Sequence, residues 1–324
     1  MPDARQSAGI GIGRAVNMGT FWTAVAGKLT DRWAGIAAPA LVFWAGAVLV
    51  WAFDGSGWSR LSKITDWLNR QNAAGQIVAI LGALAVVAAS VIVVQRLTTP
   101  VLRLIEGYWP RSLHRLIEWQ RSRIGKRRKT DETLVQSLQA LLDDGKMTAN
   151  DRAVWARLER RRRHRPILDS ELLPTRVGNI LRAAETRPYH RYGLDAVAIW
   201  PRLWLVLPEA ARQELANART SLDASVATAI WGIGFIALTP WAWWAFPVGI
   251  TATATAVVGW TPARAEVFAD LVEAAYDLYR SALYQQLRWP LPDTPATEKH
   301  IGTELTRYLV RGSDQPHPTF TAPT

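Results

Sequence analysis

The chain has 324 residues, 49% of them hydrophobic, with 17 Trp, no Cys and a net charge of +11. A mean hydropathy of -0.00 combined with a pI near 10.4 requires very apolar and very basic stretches in one polypeptide. This composition excludes an intrinsically disordered protein, a disulfide scaffold and a thiolate metal protein.

In chain order, residues 1–32 read as an N-terminal segment whose FWTAVAGKLTDRW stretch forms an interfacial helix leading into a bilayer. The glycine-dense GIGIG at 9–13 lacks both the preceding strand and the following Gly-Lys-Ser/Thr of a phosphate loop. Three uncharged runs are long enough to cross about 30 Å of hydrocarbon. They are 33–53, 71–95 and the 40-residue run 224–263. The last, at about 60 Å if fully helical, is twice the bilayer thickness, so it must fold back near Pro240 and Pro247, where WAWWAF suits a headgroup belt. The expectation is an all-α integral membrane protein with four transmembrane helices, paired as hairpins at 33–95 and 222–263 around an insert at 96–221.

The insert carries 25 Lys/Arg against 14 acids, which is the whole charge excess of the chain. Positive residues stay on the cytoplasmic side, so the N-terminus, insert and C-terminus are expected inside a bacterial inner membrane. Within the insert, VLRLIEGYWPRSLHRLIEWQRSR has helical periodicity, with a bend expected at Pro110 and an end at Gly125. A second helix is expected from Thr130 to Gly145, and a third over ANDRAVWARLERRRRHR up to Pro166. PTRVGNILRAAE, opening on Pro174, is a fourth. RPYHRYGLD reads as a turn and Tyr192 to Trp200 as the one candidate for extended backbone; Pro208 then opens a helix running into the third span. The three Trp-Pro dipeptides, at Trp109, Trp200 and Trp289, read as helix ends or bends.

After the fourth span, 264–290 forms an amphipathic helix with Asp270, Glu273 and Asp277 on one side, expected to pack against the basic insert. The Pro/Thr-rich 291–324 is expected to lack structure outside TELTRYLV.

No catalytic site emerges and no cofactor is implied. The five histidines show no metal spacing, and DDGKMTAND lacks the central Gly and closing Glu of a calcium loop. Two features point to function. Anion or lipid binding is assigned to Lys126, Arg127, Arg128, Lys129, Arg160, Arg161, Arg162, Arg163 and Arg165, and to a second cluster of Arg187, His190 and Arg191. The same basic runs also serve topology alone, and the second cluster reads first as a locally packed turn, with the anion pocket as the alternative. Few aromatics interleave with them, which disfavours nucleic acid and leaves anionic lipid or an acidic protein as the partner. Thr251, Thr253 and Thr255 of the fourth span suit either close helix packing or the lining of a pore.

The stretch LLPTRVGNILRAAETRPYHRYGLDAVAIWPRLWLVLP, with the helix and two spans that follow it, resembles a group of multi-pass membrane proteins from high-GC bacteria over roughly 170–290. That resemblance implies a membrane location and no activity. The order of spans and insert is similar in layout to bestrophin-type channels, though none of their motifs is present. The functional expectation is a non-enzymatic membrane protein: a homo-oligomeric channel or pore with a basic vestibule, or a membrane-anchored adaptor whose insert recruits a partner.

Overall fold

In a computed structural model, which describes residues 39–51, 66–67, 69–312 and 318–321, the chain is all-α, with no strand among the described residues. It divides into two compact units, Met1–Ile92 and Val93–Thr324. The expected interfacial helix and the GIGIG run lie outside the described residues.

In the first unit, helix α1 (Pro39–Trp51) meets α2 (Ala73–Glu106) near its middle, where Trp44 Nε1 donates to Ser90 Oγ at 3.1 Å. α2 opens the one described helical stretch long and apolar enough to cross a membrane by length and composition, and only 11% of its most apolar window is buried. A core helix of a water-soluble fold would be covered. The four expected spans therefore reduce to one on this criterion. The described part of α1 is shorter, and the third uncharged run is divided by a reversal.

The second unit begins within α2, which continues through Pro100 and ends at Gly107. There φ is +96°, and Tyr108 N donates to Arg103 O across the terminus, a closure glycine adopts without Cβ strain. Helix α3 (His114–Asp143) follows a short 3-10 turn and is one continuous element. Gly125, expected to end a helix, lies inside it, and no new helix starts at Thr130. A single Gly among good helix formers costs about 1 kcal/mol, too little to break a helix of this length. Helix α4 (Ala149–Arg163) starts with a reciprocal capping box between Thr148 and Asp151.

Helix α5 (Arg176–Tyr192) is capped by Thr175, starts two residues later than the expected Pro174 opening, and runs through Pro188 to Gly193. RPYHRYGLD is thus mostly the end of a helix and not a turn. Helix α6 (Ala196–Val206) replaces the expected extended segment. Asp195 Oδ1 accepts from the amides of Val197 and Ala198, supplying the cap, and Trp200-Pro201 lies within the helix. Trp109-Pro110 and Trp289-Pro290 do lie beyond helix ends.

Helix α7 (Glu209–Ile236) reverses through 237–244 into α8 (Ala245–Ala254), a π-helical turn (Thr255–Trp260) and α9 (Thr261–Gln286). The α7–α8 seam depends on glycine. A Cβ on Gly232 would lie 2.5 Å from Thr253 Oγ1, and one on Gly249 would lie 2.7 Å from Gly232 O. Helix α10 (Pro295–Arg311) corrects the expectation that most of 291–324 is unstructured: its Thr294 cap, buried Gly302 and buried Leu305 fix it to the body.

Two apolar clusters unite this unit. One joins Leu102 of α2, Val177 and Ile180 of α5, Leu222 and Val226 of α7, and Ala265 of α9. The other joins Ile199 and Leu203 of α6, Tyr276 and Leu283 of α9, and Leu305 of α10. Burying each such Leu or Ile side chain contributes about 1.5–3 kcal/mol. Gly178 of α5 and Gly302 of α10 allow the tightest approaches, since a Cβ would lie 1.9 Å from Glu106 O at the first and 1.9 Å from Tyr192 O at the second.

Candidate functional site

The two basic runs, remote in sequence, meet at the open end of the α3–α4 hairpin. Asp131 of α3 joins them, accepting from Arg165 Nη1 at 2.8 Å, with Arg161 Nη1 at 4.0 Å. Arg128 turns inward from its run, bonding Glu132 and Asp169 through carboxylates and Pro166 and Ile167 through carbonyl oxygens. It clamps the loop after α4. Within the helix expected to start at Thr130, Glu132 accepts from Arg128 in this clamp and Asp131 accepts from Arg165.

The assigned cations therefore divide into two sets. Lys126, Arg127, Lys129, Arg160, Arg161, Arg162 and Arg163 are exposed, and their side chains form the outer surface of the hairpin. Arg128, Arg165, Arg187 and His190 are held by protein acceptors. Arg191 is intermediate: its Nη1 lies 3.8 Å from Asp277 and its side chain is half exposed.

Arg187 is the most deeply committed. Its side chain is 7% exposed and donates from Nη1 to Glu273 Oε1, itself 11% exposed. Nη2 donates to Arg163 O and, at 3.4 Å, to Arg165 O. Arg187 thus satisfies carbonyls left open at the end of α4 and ties them to α9. Beside it His164, the cap residue of α4, contacts Asp270 Oδ1 through Nε2 at 3.0 Å. His190 Nε2 meets Glu171 Oε1 at 2.9 Å.

The carboxylate row of α9 does face the insert. Its partners are Arg176 for Glu266, His164 for Asp270, Arg187 for Glu273 and Arg191 for Asp277. None of these contacts uses a side chain of 126–129 or 160–163. Sequence reasoning marked the row but missed that one member is buried; it gave Asp131, Asp169 and Glu171 no role in a site and placed His164 only within the basic run. The usable signal was local: Asp270, Glu273 and Asp277 recur at three-to-four spacing beside apolar residues, which sets Glu273 at the edge of a buried face.

Farther along α9, Tyr192 Oη donates to Asp277 Oδ1 at 2.6 Å, and burial followed by that contact pushes its hydroxyl above its ordinary value. Arg280 lies over the Tyr192 ring and bonds Glu298, fixing α10.

The three threonines separate as well. Thr253 sits in the α7–α8 seam and donates to Gly249 O at 2.8 Å. Thr251 and Thr255 are exposed, the former donating to Pro247 O. Among the described residues no group of three or more His, Cys, Asp or Glu could hold a metal ion. No protein-family model, curated protein or solved structure matches this chain.

Proposed function

We propose that this is a multi-pass protein of a bacterial inner membrane, anchored by α1, α2 and the α7–α8 hairpin, whose basic α3–α4 limb recruits an anionic partner. The observation that carries the anchor is the uncovered apolar surface of α2. Val42 of α1, Ile233 of α7 and Val248 of α8 extend the same character to the other proposed anchors, since all three are exposed. The docking reading rests on the partition of the cations, which leaves two runs facing outward after the internal acceptors are filled. Their surplus favours an acidic protein segment, with no catalytic step.

The test uses full-length protein in nanodiscs of zwitterionic lipid with poly-L-glutamate as the probe. Wild-type protein binds it with an affinity that falls as salt rises. Replacing the four arginines 160–163 by Gln lowers that affinity at least about tenfold while the protein stays resistant to alkaline carbonate extraction. Unchanged affinity removes the docking reading, and carbonate extraction of the wild type removes the anchor.

A second reading, a homo-oligomeric pore, is favoured by the outward Thr251 and Thr255. They adjoin Gly259, where an added Cβ would meet nothing within 4 Å, and the intervening turn is π-helical. Purified protein that stays silent in planar-bilayer recording across voltage and pH, or is monomeric by native mass spectrometry, sinks it.

A further inference from the structure

We propose that the first half of α3, with the turn before it, lies along an anionic lipid surface, placing Leu113, Leu116 and Trp119 among the headgroups and its arginines on lipid phosphates. This rests on the membrane reading above and assigns a different surface from the docking runs.

Between residues 111 and 125, before the docking run begins, the chain has four Arg and a single acid, Glu118. The large side chains there are uncovered: Leu113 and Leu116 are each 41% exposed and Trp119 is 55% exposed. The Arg123 guanidinium lies 5.5 Å from the centroid of the Trp119 ring, so a cation shares the aromatic face. At about 100° per residue Glu118 falls on the far side of the helix from Leu116, whereas Arg115 lies one turn before Trp119 and flanks the stripe.

Anchoring contacts of α3 begin only at Arg128 and Asp131, and its one buried residue is Leu138. Thus the first three turns are a basic amphipathic helix with no core of their own. Trp and Leu on one side and Arg around them is the composition of a helix lying in a headgroup layer. An acidic protein partner would match the charge but leave the Trp–Leu stripe without a reason. Anionic lipid accounts for both.

The proposal has a geometric consequence. α2 continues twelve residues past Val94, about 18 Å of helix, before ending at Glu106. For α3 to reach headgroups, α2 must leave the bilayer obliquely. Its own exposed Leu97 and Leu104, either side of Pro100, suit such a path along the interface.

Because the native chain contains no cysteine, single nitroxide labels can be placed without background. The full-length protein would carry Leu113→Cys, Leu116→Cys, Trp119→Cys, Glu118→Cys or Leu84→Cys in nanodiscs containing phosphatidylglycerol. Collision rates would be measured with oxygen, which partitions into lipid, and with a water-soluble nickel chelate. Positions 113, 116 and 119 are expected to favour oxygen severalfold and 118 to favour nickel. Arg115→Gln with Arg123→Gln, or purely zwitterionic lipid, should shift 116 and 119 toward nickel. Nickel preference at 113, 116 and 119 with position 84 still in lipid overturns this inference and leaves the membrane reading intact. Nickel preference at 84 overturns the membrane reading itself. Shielding of 116 and 119 from both reagents identifies a protein face, a second copy included, and equally removes the lipid assignment.

Discussion

Arg187 connects three elements through one guanidinium: α5 carries it, Glu273 of α9 neutralises it, and the carbonyls of Arg163 and Arg165 at the end of α4 occupy its other nitrogen. Sequence alone made Arg187 part of an anion pocket, because RPYHRY is rich in cations and its acceptor lies 86 positions away. No local pattern reports such a distance. A buried pair of this kind contributes little net stability against an apolar substitute, yet losing one partner leaves a desolvated charge. Arg187→Met is therefore expected to destabilise the fold by about 3–5 kcal/mol, and Arg187→Met with Glu273→Leu to recover most of that loss. Denaturant unfolding of the micelle-embedded protein, followed by circular dichroism, measures both. A single variant as stable as wild type, or a double variant no better than the single, shows that the pair is not the junction between α4 and α9.

At the scale of elements, helix existence was legible and helix punctuation was not. The apolar periodicity of α5, α7 and α9 is plain in the sequence, and so is the need for the 224–263 run to reverse. Errors fell at Gly125, Pro188 and Pro201, breakers that lie within helices. Burial offsets the propensity loss at Pro188, where Ala184, Arg187 and Pro188 itself are enclosed, and tertiary packing overrides a local rule.

Two helical glycines turn this distinction into a measurement. A Cβ at Gly125 meets nothing within 4 Å, whereas one at Gly178 would strike Glu106 O at 1.9 Å. Gly125→Ala should stabilise α3 locally by about 1 kcal/mol, seen as slower amide exchange on both sides of position 125. Gly178→Ala should separate α5 from the end of α2 and speed exchange in both helices. Equal responses at the two sites would mean that backbone propensity, and not close packing, governs these positions.

For the whole molecule, the charge excess is confined to 96–221, and the fold spends part of it internally. Arg128, Arg165 and Arg187 hold the body together, while the runs around them face outward. In the proposed membrane arrangement, the outward cations lie on one side, and the turn at 237–244 emerges on the other. Lys146, in the exposed turn between α3 and α4, and Trp243, exposed in the α7–α8 reversal, are reporters for the two sides. A single cysteine at either position in this Cys-free chain can be challenged with a membrane-impermeant maleimide in intact spheroplasts and in inverted vesicles. Position 243 is expected to react only in spheroplasts and 146 only in inverted vesicles. Labelling of both from one side would mean that the α7–α8 hairpin does not cross. Its exposed tryptophans would then lie on the same membrane face as the basic limb, and the uncharged 224–263 run would have to be a shallow anchor.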